Sequence, residues 1–232
     1  MKSQLFHLNR ISFAILLALF LFTSSALAGP PLICHPFDIG DAKSIPWTSH
    51  DWNLTGSENF NTKNLAADTI AILDSDSAVL VHMETLRRAT LYARKDPVAA
   101  KQLVTKLVAR ADSSANSKAA AMASFDLGYL AECYRQWMGK DEPNPAQGLD
   151  GYALVKKAMQ LRGNDPQMDF AAALITLNGL AGEHQDYVQR TLAGAKTDAL
   201  LARNLFTHFM GPQSESMADM ISRTSAAKVA KQ

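Results

Sequence analysis

Two short stretches of this chain carry residue types and spacings that could do chemistry, Cys34-His35 and the group Glu84, Arg87 and Arg88. A cysteine next to a histidine is found in haem-attachment and zinc sites. Haem attachment uses C-x-x-C-H, and position 31 is a proline. A structural zinc site needs about four ligands, and no further Cys or His lies at the short spacings of such sites. We therefore expect no metal and no cofactor, and we interpret Cys34 as a structural residue beside a packed His35.

Glu84 precedes Arg87 and Arg88 by three and four residues, which places the three side chains on one side of a helix. One interpretation is ion pairing on a solvated helix surface, which contributes roughly a few tenths of a kcal/mol. The other is a pair of guanidinium groups that hold a carboxylate or a backbone carbonyl. His35, Glu84, Arg87 and Arg88 are thus the candidate binding residues. We name no catalytic residue, since the common catalytic motifs are missing from the sequence.

The first 28 residues have the pattern of a cleaved secretory signal. Lys2 and Arg10 give a positive start, an apolar run follows over 11–22, and Ala-Leu-Ala at 26–28 supplies a small-x-small cleavage site. The run is shorter than the ~20 apolar residues of a membrane span. We expect cleavage near Ala28, a periplasmic or secreted location, and no transmembrane span in the mature chain.

The two cysteines, Cys34 and Cys133, both remain after cleavage. In an oxidising compartment an isolated pair is most simply a disulfide, so we predict a Cys34–Cys133 bridge. A loop of this length would contribute roughly 4–5 kcal/mol on the chain-entropy argument. Two free thiols, with Cys133 buried on a helix, are the alternative.

Length, charge and composition limit the possible folds and partners. The mature chain of 204 residues suits one domain. Cleavage removes two of the 23 Lys and Arg and none of the 22 Asp and Glu, which leaves a net charge near −1. This balance argues against nucleic acid as a partner. The abundance of Ala, Leu and Met favours helix.

The chain divides into four parts: a signal over 1–28, an extended strap over 29–60, a helical domain over 61–212 and a frayed tail over 213–232. The strap contains prolines that bar it from helix interiors and central strands. It is also too apolar to remain free in water. We therefore expect it to lie across the helices, with Phe37 and Trp47 buried.

Apolar periodicity and caps predict the helices of the third part. They are expected over about 62–73, 77–94, 97–111, 118–138, 150–161, 166–178 and 197–211, with a connection at Gly179 and Gly182 before the last one. The helix over 118–138 is apolar on several sides, which predicts a central position. Its charged residues Asp126, Glu132 and Arg135 are expected to be hydrogen bonded.

Two helix junctions are alike. Arg-Arg-Ala at 87–89 precedes Asp96-Pro97 as Lys-Lys-Ala at 156–158 precedes Asp165-Pro166, an offset of 69 residues. This is close to twice the ~34-residue period of tetratricopeptide repeats, and 155–166 resembles the boundary between two such repeats. The resemblance implies an all-α fold of antiparallel helical hairpins, in a tetratricopeptide-like or α-solenoid-like array.

The mature chain also resembles a group of exported bacterial proteins. The resemblance lies in Cys-His-Pro-Phe-Asp-Ile-Gly at 34–40 with Lys43-Ser44, in Met-Glu-Thr-Leu-Arg-Arg at 83–88, and in Phe-Asp-Leu-Gly-Tyr-Leu at 125–130. It implies that these three segments belong to one shared design, and it implies no activity.

These observations predict an exported, non-catalytic helical binding or scaffold module with a protein or peptide partner, because stacked helical hairpins form concave surfaces suited to extended peptides. The alternative is an enzyme or cofactor-binding protein with a site around His35, Glu84 and Arg87 or Arg88. A pocket that brings these groups together would favour the enzyme. A purely structural envelope protein is a third possibility.

Overall fold

The computed structural model describes residues 30–48, 54–55, 57–75, 77–113, 118–138 and 142–209. Within these ranges the chain forms helices and no strand, which confirms the all-α prediction. The predicted signal at 1–28 and the predicted tail at 213–232 lie outside the described residues. The eight α-helices of the described part are α1 (Leu65–Leu73), α2 (Val79–Ala93), α3 (Pro97–Ser113), α4 (Lys118–Trp137), α5 (Gly151–Arg162), α6 (Pro166–Thr176), α7 (Ala181–Ala195) and α8 (Ala199–Phe209).

Aspartates begin four of these helices, and the sequence predicted two of them as Asp-Pro starts. Asp198 accepts from the Leu201 N–H at the start of α8. Asp96 Oδ1 accepts from the backbone N–H groups of Val98 and Ala99 at the start of α3. Asp150 and Asp165 cap α5 and α6 in the same way. A proline follows Asp96 and Asp165 at the first helical position, where no N–H is needed. These caps fix the register of α3, α5 and α6.

Helix α2 is the most enclosed element. Fourteen of its fifteen residues are buried, and the exception is Arg88. It contacts α1, α3, α4 and α6, whereas α4, the helix predicted to be central, contacts α2, α3 and α5. Each helix also packs against the next one along the chain. Contacts with four helices therefore position the residues of α2, which include the buried carboxylate of Glu84 and the buried guanidinium of Arg87.

The closest helix packing joins α4 to α5. A Cβ atom added to Gly128 would lie 2.6 Å from the Gly151 carbonyl oxygen and 2.8 Å from Leu154 Cβ. Only glycine allows the two backbones to approach in this way. The contact holds α5 against the helix that carries Asp126 and Cys133.

The sequence prediction missed one helix. Residues 181–195 form α7, although Gly182 and Gly194 interrupt the apolar pattern there. Glycine within a helix is unfavourable by roughly 1 kcal/mol relative to alanine. Tertiary packing outweighs this, because Tyr187, Thr191 and Leu192 are buried and α7 lies against α6 and α8.

Residues 30–48, called the N-terminal segment below, contain no helix or strand and pack against the helices. Its buried apolar residues are Leu32, Ile33, Phe37, Ile39 and Ile45. Trp47 is half-buried and packs edge-on against Tyr92 at a centroid distance of 5.5 Å. The apolar side chains of the segment thus belong to the core of the protein.

Both cysteines are free thiols, which corrects the predicted Cys34–Cys133 disulfide. Cys133 is completely buried on α4, and Cys34 is half-buried in the N-terminal segment, outside bonding distance. The chain-entropy argument concerns only the unfolded chain. A disulfide also requires the two Cα atoms to lie about 4.4–6.8 Å apart, and the sequence holds no information on that distance. Burial raises the pKa of both thiols.

None of the described helices combines the length and the apolar character that a bilayer span requires.

Candidate functional site

Glu84, Arg87 and Arg88 form a buried ion cluster on α2. The Glu84 side chain is 0 % exposed, as is that of Arg87, and that of Arg88 is 16 % exposed. Glu84 Oε1 accepts from Arg88 Nε at 2.7 Å and from an Arg87 terminal nitrogen at 3.3 Å. The interpretation as a solvated surface pair is therefore wrong. Charges this far from water need partners for all their polar atoms.

The cluster finds three such partners in the main chain of the N-terminal segment. Arg87 Nε donates to the Ile33 carbonyl at 2.7 Å, and an Arg88 terminal nitrogen donates to the Ile45 carbonyl at 2.6 Å. The second oxygen of Glu84 accepts from the Phe37 N–H at 2.9 Å. The arrangement is thus the backbone clamp of the second interpretation, built from one helix face.

The electrostatics explain why backbone carbonyls are used. Among the described residues, one buried carboxylate is shared by two guanidinium groups. Burial lowers the pKa of Arg87, and the neighbouring Glu84 carboxylate opposes that effect. The carbonyl oxygens of Ile33 and Ile45 supply further acceptors that carry no charge of their own.

Further side chains hold the same segment, and the sequence analysis missed them. Asn204 on α8 accepts from the Asp38 N–H at 2.8 Å and donates to the Asp38 carbonyl at 2.8 Å. The Tyr92 hydroxyl donates to the Pro46 carbonyl at 2.6 Å, and Gln136 accepts from the Leu32 N–H at 3.0 Å. An amide that pairs with both backbone groups of one residue imitates a neighbouring strand. No local pattern relates Asn204 to a residue 166 positions earlier.

His35 lies apart from the other three candidate residues. No hydrogen bond or ion pair joins it to Glu84, Arg87 or Arg88 among the described residues. Its ring packs edge-on against His208 at 5.9 Å, and His208 stacks on Phe37 at 4.5 Å. Burial lowers the pKa of His208 to about 4. His35 therefore belongs to an aromatic cluster at the end of α8.

A second polar region is a cavity of about 1120 Å³. Ile70, Ala109 and Met122 are among its apolar lining residues. The charged and titratable groups that line it are Asp74, His82, Lys106, Arg110, Arg162 and Asp165. Its volume is slightly above the range of about 300–1,000 Å³ that small-molecule sites usually have.

A buried hydrogen-bond network lies at one side of this cavity. Asp126, which is fully buried on α4, accepts from His82 Nδ1 at 2.7 Å and from Arg110 at 2.6 Å. Arg110 also donates to Asp74 at 2.8 Å and to the Leu73 carbonyl at 2.9 Å. The expectation that Asp126 is hydrogen bonded is confirmed, as is that for Glu132, which pairs with Arg135.

No protein-family model, curated protein or solved structure matches this chain.

Proposed function

We propose that this protein is an exported, non-catalytic helical binding or scaffold module whose helices hold extended polypeptide. The observation that carries the proposal is the set of hydrogen bonds from helix side chains to the main chain of the N-terminal segment. They reach backbone groups at Ile33, Phe37, Asp38 and Ile45 rather than side chains. Main-chain contacts supply affinity for extended polypeptide with little dependence on its sequence.

The apolar contacts add an anchor pattern. Ile33, Phe37 and Ile45, whose backbone groups make main-chain contacts, are also only 0–3 % exposed. A large buried apolar side chain contributes roughly 1.5–3 kcal/mol. The helix surface that binds the N-terminal segment thus contacts both its backbone and its bulky apolar side chains. A partner polypeptide either competes with this segment or extends beyond it.

The helix arrangement and the location belong to the same proposal. The helices form antiparallel hairpins in a tetratricopeptide-like array, which is supported by the contact of each described helix with the next one. Residues 1–28 direct export to the periplasm or exterior, and the chain belongs with the exported bacterial proteins that it resembles. A soluble partner polypeptide in that compartment is the expected ligand.

An enzyme centred on His35, Glu84 and Arg87 or Arg88 has less support. A general acid or base must reach the substrate, and both oxygens of Glu84 are already bonded within the fold. Substrate access would require the Phe37 backbone to leave. This observation favours the binding module over the enzyme.

Crosslinking of the intact protein in envelope extract tests the proposal. A photoreactive side chain at the exposed Lys43 should give saturable adducts with one or a few polypeptides, and an excess of synthetic peptide 30–48 should reduce them. The same label at the exposed Lys157 on α5 is the control for non-specific contact. Equal adducts from both positions, or none that saturates, would contradict the proposal.

A further inference from the structure

His82 is a buried side chain with one nitrogen engaged and the other free of protein partners. Its side chain is only 2 % exposed, yet it lines the polar cavity beside α1 and α3. Nδ1 is bonded to Asp126, and Nε2 makes no hydrogen bond to a described residue. Nε2 is thus left for a hydrogen bond with a molecule in the cavity.

The bonding of Asp126 determines what Nε2 can do. An ionised carboxylate only accepts hydrogen bonds, so the proton of the His82 ring is on Nδ1. Arg110 also donates to Asp126, at 2.6 Å. The Asp126 carboxylate thus holds the ring through Nδ1, and Nε2 is the ring nitrogen left for a hydrogen bond with a hydroxyl group of a ligand.

The lining of the same cavity also contains positively charged donors that could bind an anion. Arg162 uses Nε to bond Asp165 at 2.6 Å, and its two terminal nitrogens make no hydrogen bond to a described residue. Lys106 is exposed and has no ion pair within the described part of the chain. All three guanidinium nitrogens of Arg110, in contrast, already donate within the protein, to Asp74, Asp126 and the Leu73 carbonyl. The donors left for a ligand are thus those of Arg162 and Lys106.

We propose that this cavity binds a small organic acid that carries hydroxyl groups, such as a sugar acid. Its carboxylate is bound by Arg162 and Lys106, and one of its hydroxyl groups forms a hydrogen bond with His82 Nε2. Guanidinium groups bind carboxylates with charge-assisted hydrogen bonds. The apolar side chains of Ile70 and Met122 pack against the carbon skeleton. This site is distinct from the clamp on the N-terminal segment, and it does not depend on the proposed polypeptide partner.

Three matched probes test the proposal on the purified full chain by titration calorimetry. Gluconate has both the carboxylate and the hydroxyl groups, sorbitol has the hydroxyl groups alone, and hexanoate has the carboxylate alone. We expect gluconate to bind most tightly, because only gluconate satisfies both sides of the cavity. Arg162→Gln should weaken its binding about tenfold or more, as expected for a lost hydrogen bond to a charged group.

Lys157→Gln is the matched control, since it removes one positive charge from an exposed position on the same helix. It should leave gluconate binding unchanged. A nitrogen-15 spectrum of the histidine rings supplies a readout without any substitution, and the His82 Nε2 signal should move when gluconate is added. The proposal is overturned if gluconate does not bind, if sorbitol or hexanoate binds equally well, if the two variants weaken binding alike, or if the Nε2 signal stays in place.

Discussion

The Phe37 N–H donates to Glu84 Oε2 at 2.9 Å, across 47 positions of the sequence. The other oxygen of the same carboxylate accepts from Arg87 and Arg88, which donate in turn to the carbonyls of Ile33 and Ile45. One buried carboxylate thus organises two guanidinium groups and three points along the N-terminal segment. The stability of the segment on the helices should depend strongly on that charge.

Glu84→Gln tests this dependence. The substitution keeps the size of the side chain but removes the carboxylate charge that Arg87 and Arg88 share, and breaking a buried ion pair costs about 3–5 kcal/mol. We expect a loss of this order in the free energy of unfolding, measured by urea titration with circular dichroism. Glu58→Gln is the control, because Glu58 is exposed and its change should stay within about 0.5 kcal/mol. A similar small change for both variants would show that the cluster contributes little.

Much of the helical architecture could be predicted from the sequence. Seven of the eight described helices follow from periodicity and caps, and Asp96-Pro97 and Asp165-Pro166 mark their starts where the structure has them. The prediction missed α7, because packing against α6 overrides two glycines. The central position of α2 was also missed, since its sequence combines apolar residues with His82, Glu84 and Arg87, all of which are buried.

The site was less predictable than the helices. The spacing of Glu84, Arg87 and Arg88 identified one face of a helix, but not whether water or protein covered it. Burial depends on residues distant in sequence, such as Ile33 and Phe37, and no local signal reports such contacts. The cavity around His82 was not predicted for the same reason, because helices distant in sequence, α1, α3 and α5, all contribute to its lining.

Removal of the N-terminal segment should destabilise the protein. A chain that lacks residues 29–47 loses five buried apolar side chains and the main-chain partners of Arg87 and Arg88. We expect the free energy of unfolding to fall by several kcal/mol, since each such side chain contributes roughly 1.5–3. Binding of a hydrophobic dye should rise as the groove is exposed. An unchanged melting temperature would mean that the segment is a loose tail.

Gly128→Ala tests the close approach of α4 and α5. The added Cβ would lie 2.6 Å from the Gly151 carbonyl oxygen, so the helices must separate, and overpacking of this kind costs about 1–3 kcal/mol. Gly182→Ala is a matched control, because nothing lies within 4 Å of a Cβ at that position of α7. The control should be neutral or stabilising by up to about 1 kcal/mol, as expected for alanine in a helix. Chemical denaturation of both variants compares them directly, and equal effects would contradict the close contact.

The thiols should differ in reactivity. A thiol reacts through its thiolate. Burial raises the pKa of both thiols, and Cys133 is completely buried whereas Cys34 is half-buried. We expect maleimide to label Cys34 slowly in the native protein and Cys133 only after denaturation, as measured by intact mass. Two labels should be added in denaturant without a reducing agent. Absence of free thiols under that condition would restore the disulfide.

The pH dependence of stability should report on His208. Burial lowers its pKa to about 4, whereas an unfolded histidine titrates near 6.5. Between these values the unfolded chain binds the extra proton, so the free energy of unfolding falls as the pH is lowered through this window. The loss between pH 7 and pH 5 amounts to about 2 kcal/mol for this residue.

His208→Phe isolates this contribution. The variant keeps an aromatic ring against Phe37 and Phe170 but cannot bind a proton, so its stability should fall less between pH 7 and pH 5 than that of the wild-type protein. Urea titrations at the two pH values measure the difference, and this range lies above the titration of most carboxyl groups. His35 and Arg87, which repel a charged His208, are present in both proteins. The two proteins therefore differ only in whether residue 208 can bind a proton. Parallel stability curves for the two proteins would mean that His208 titrates normally and that its ring is reached by water.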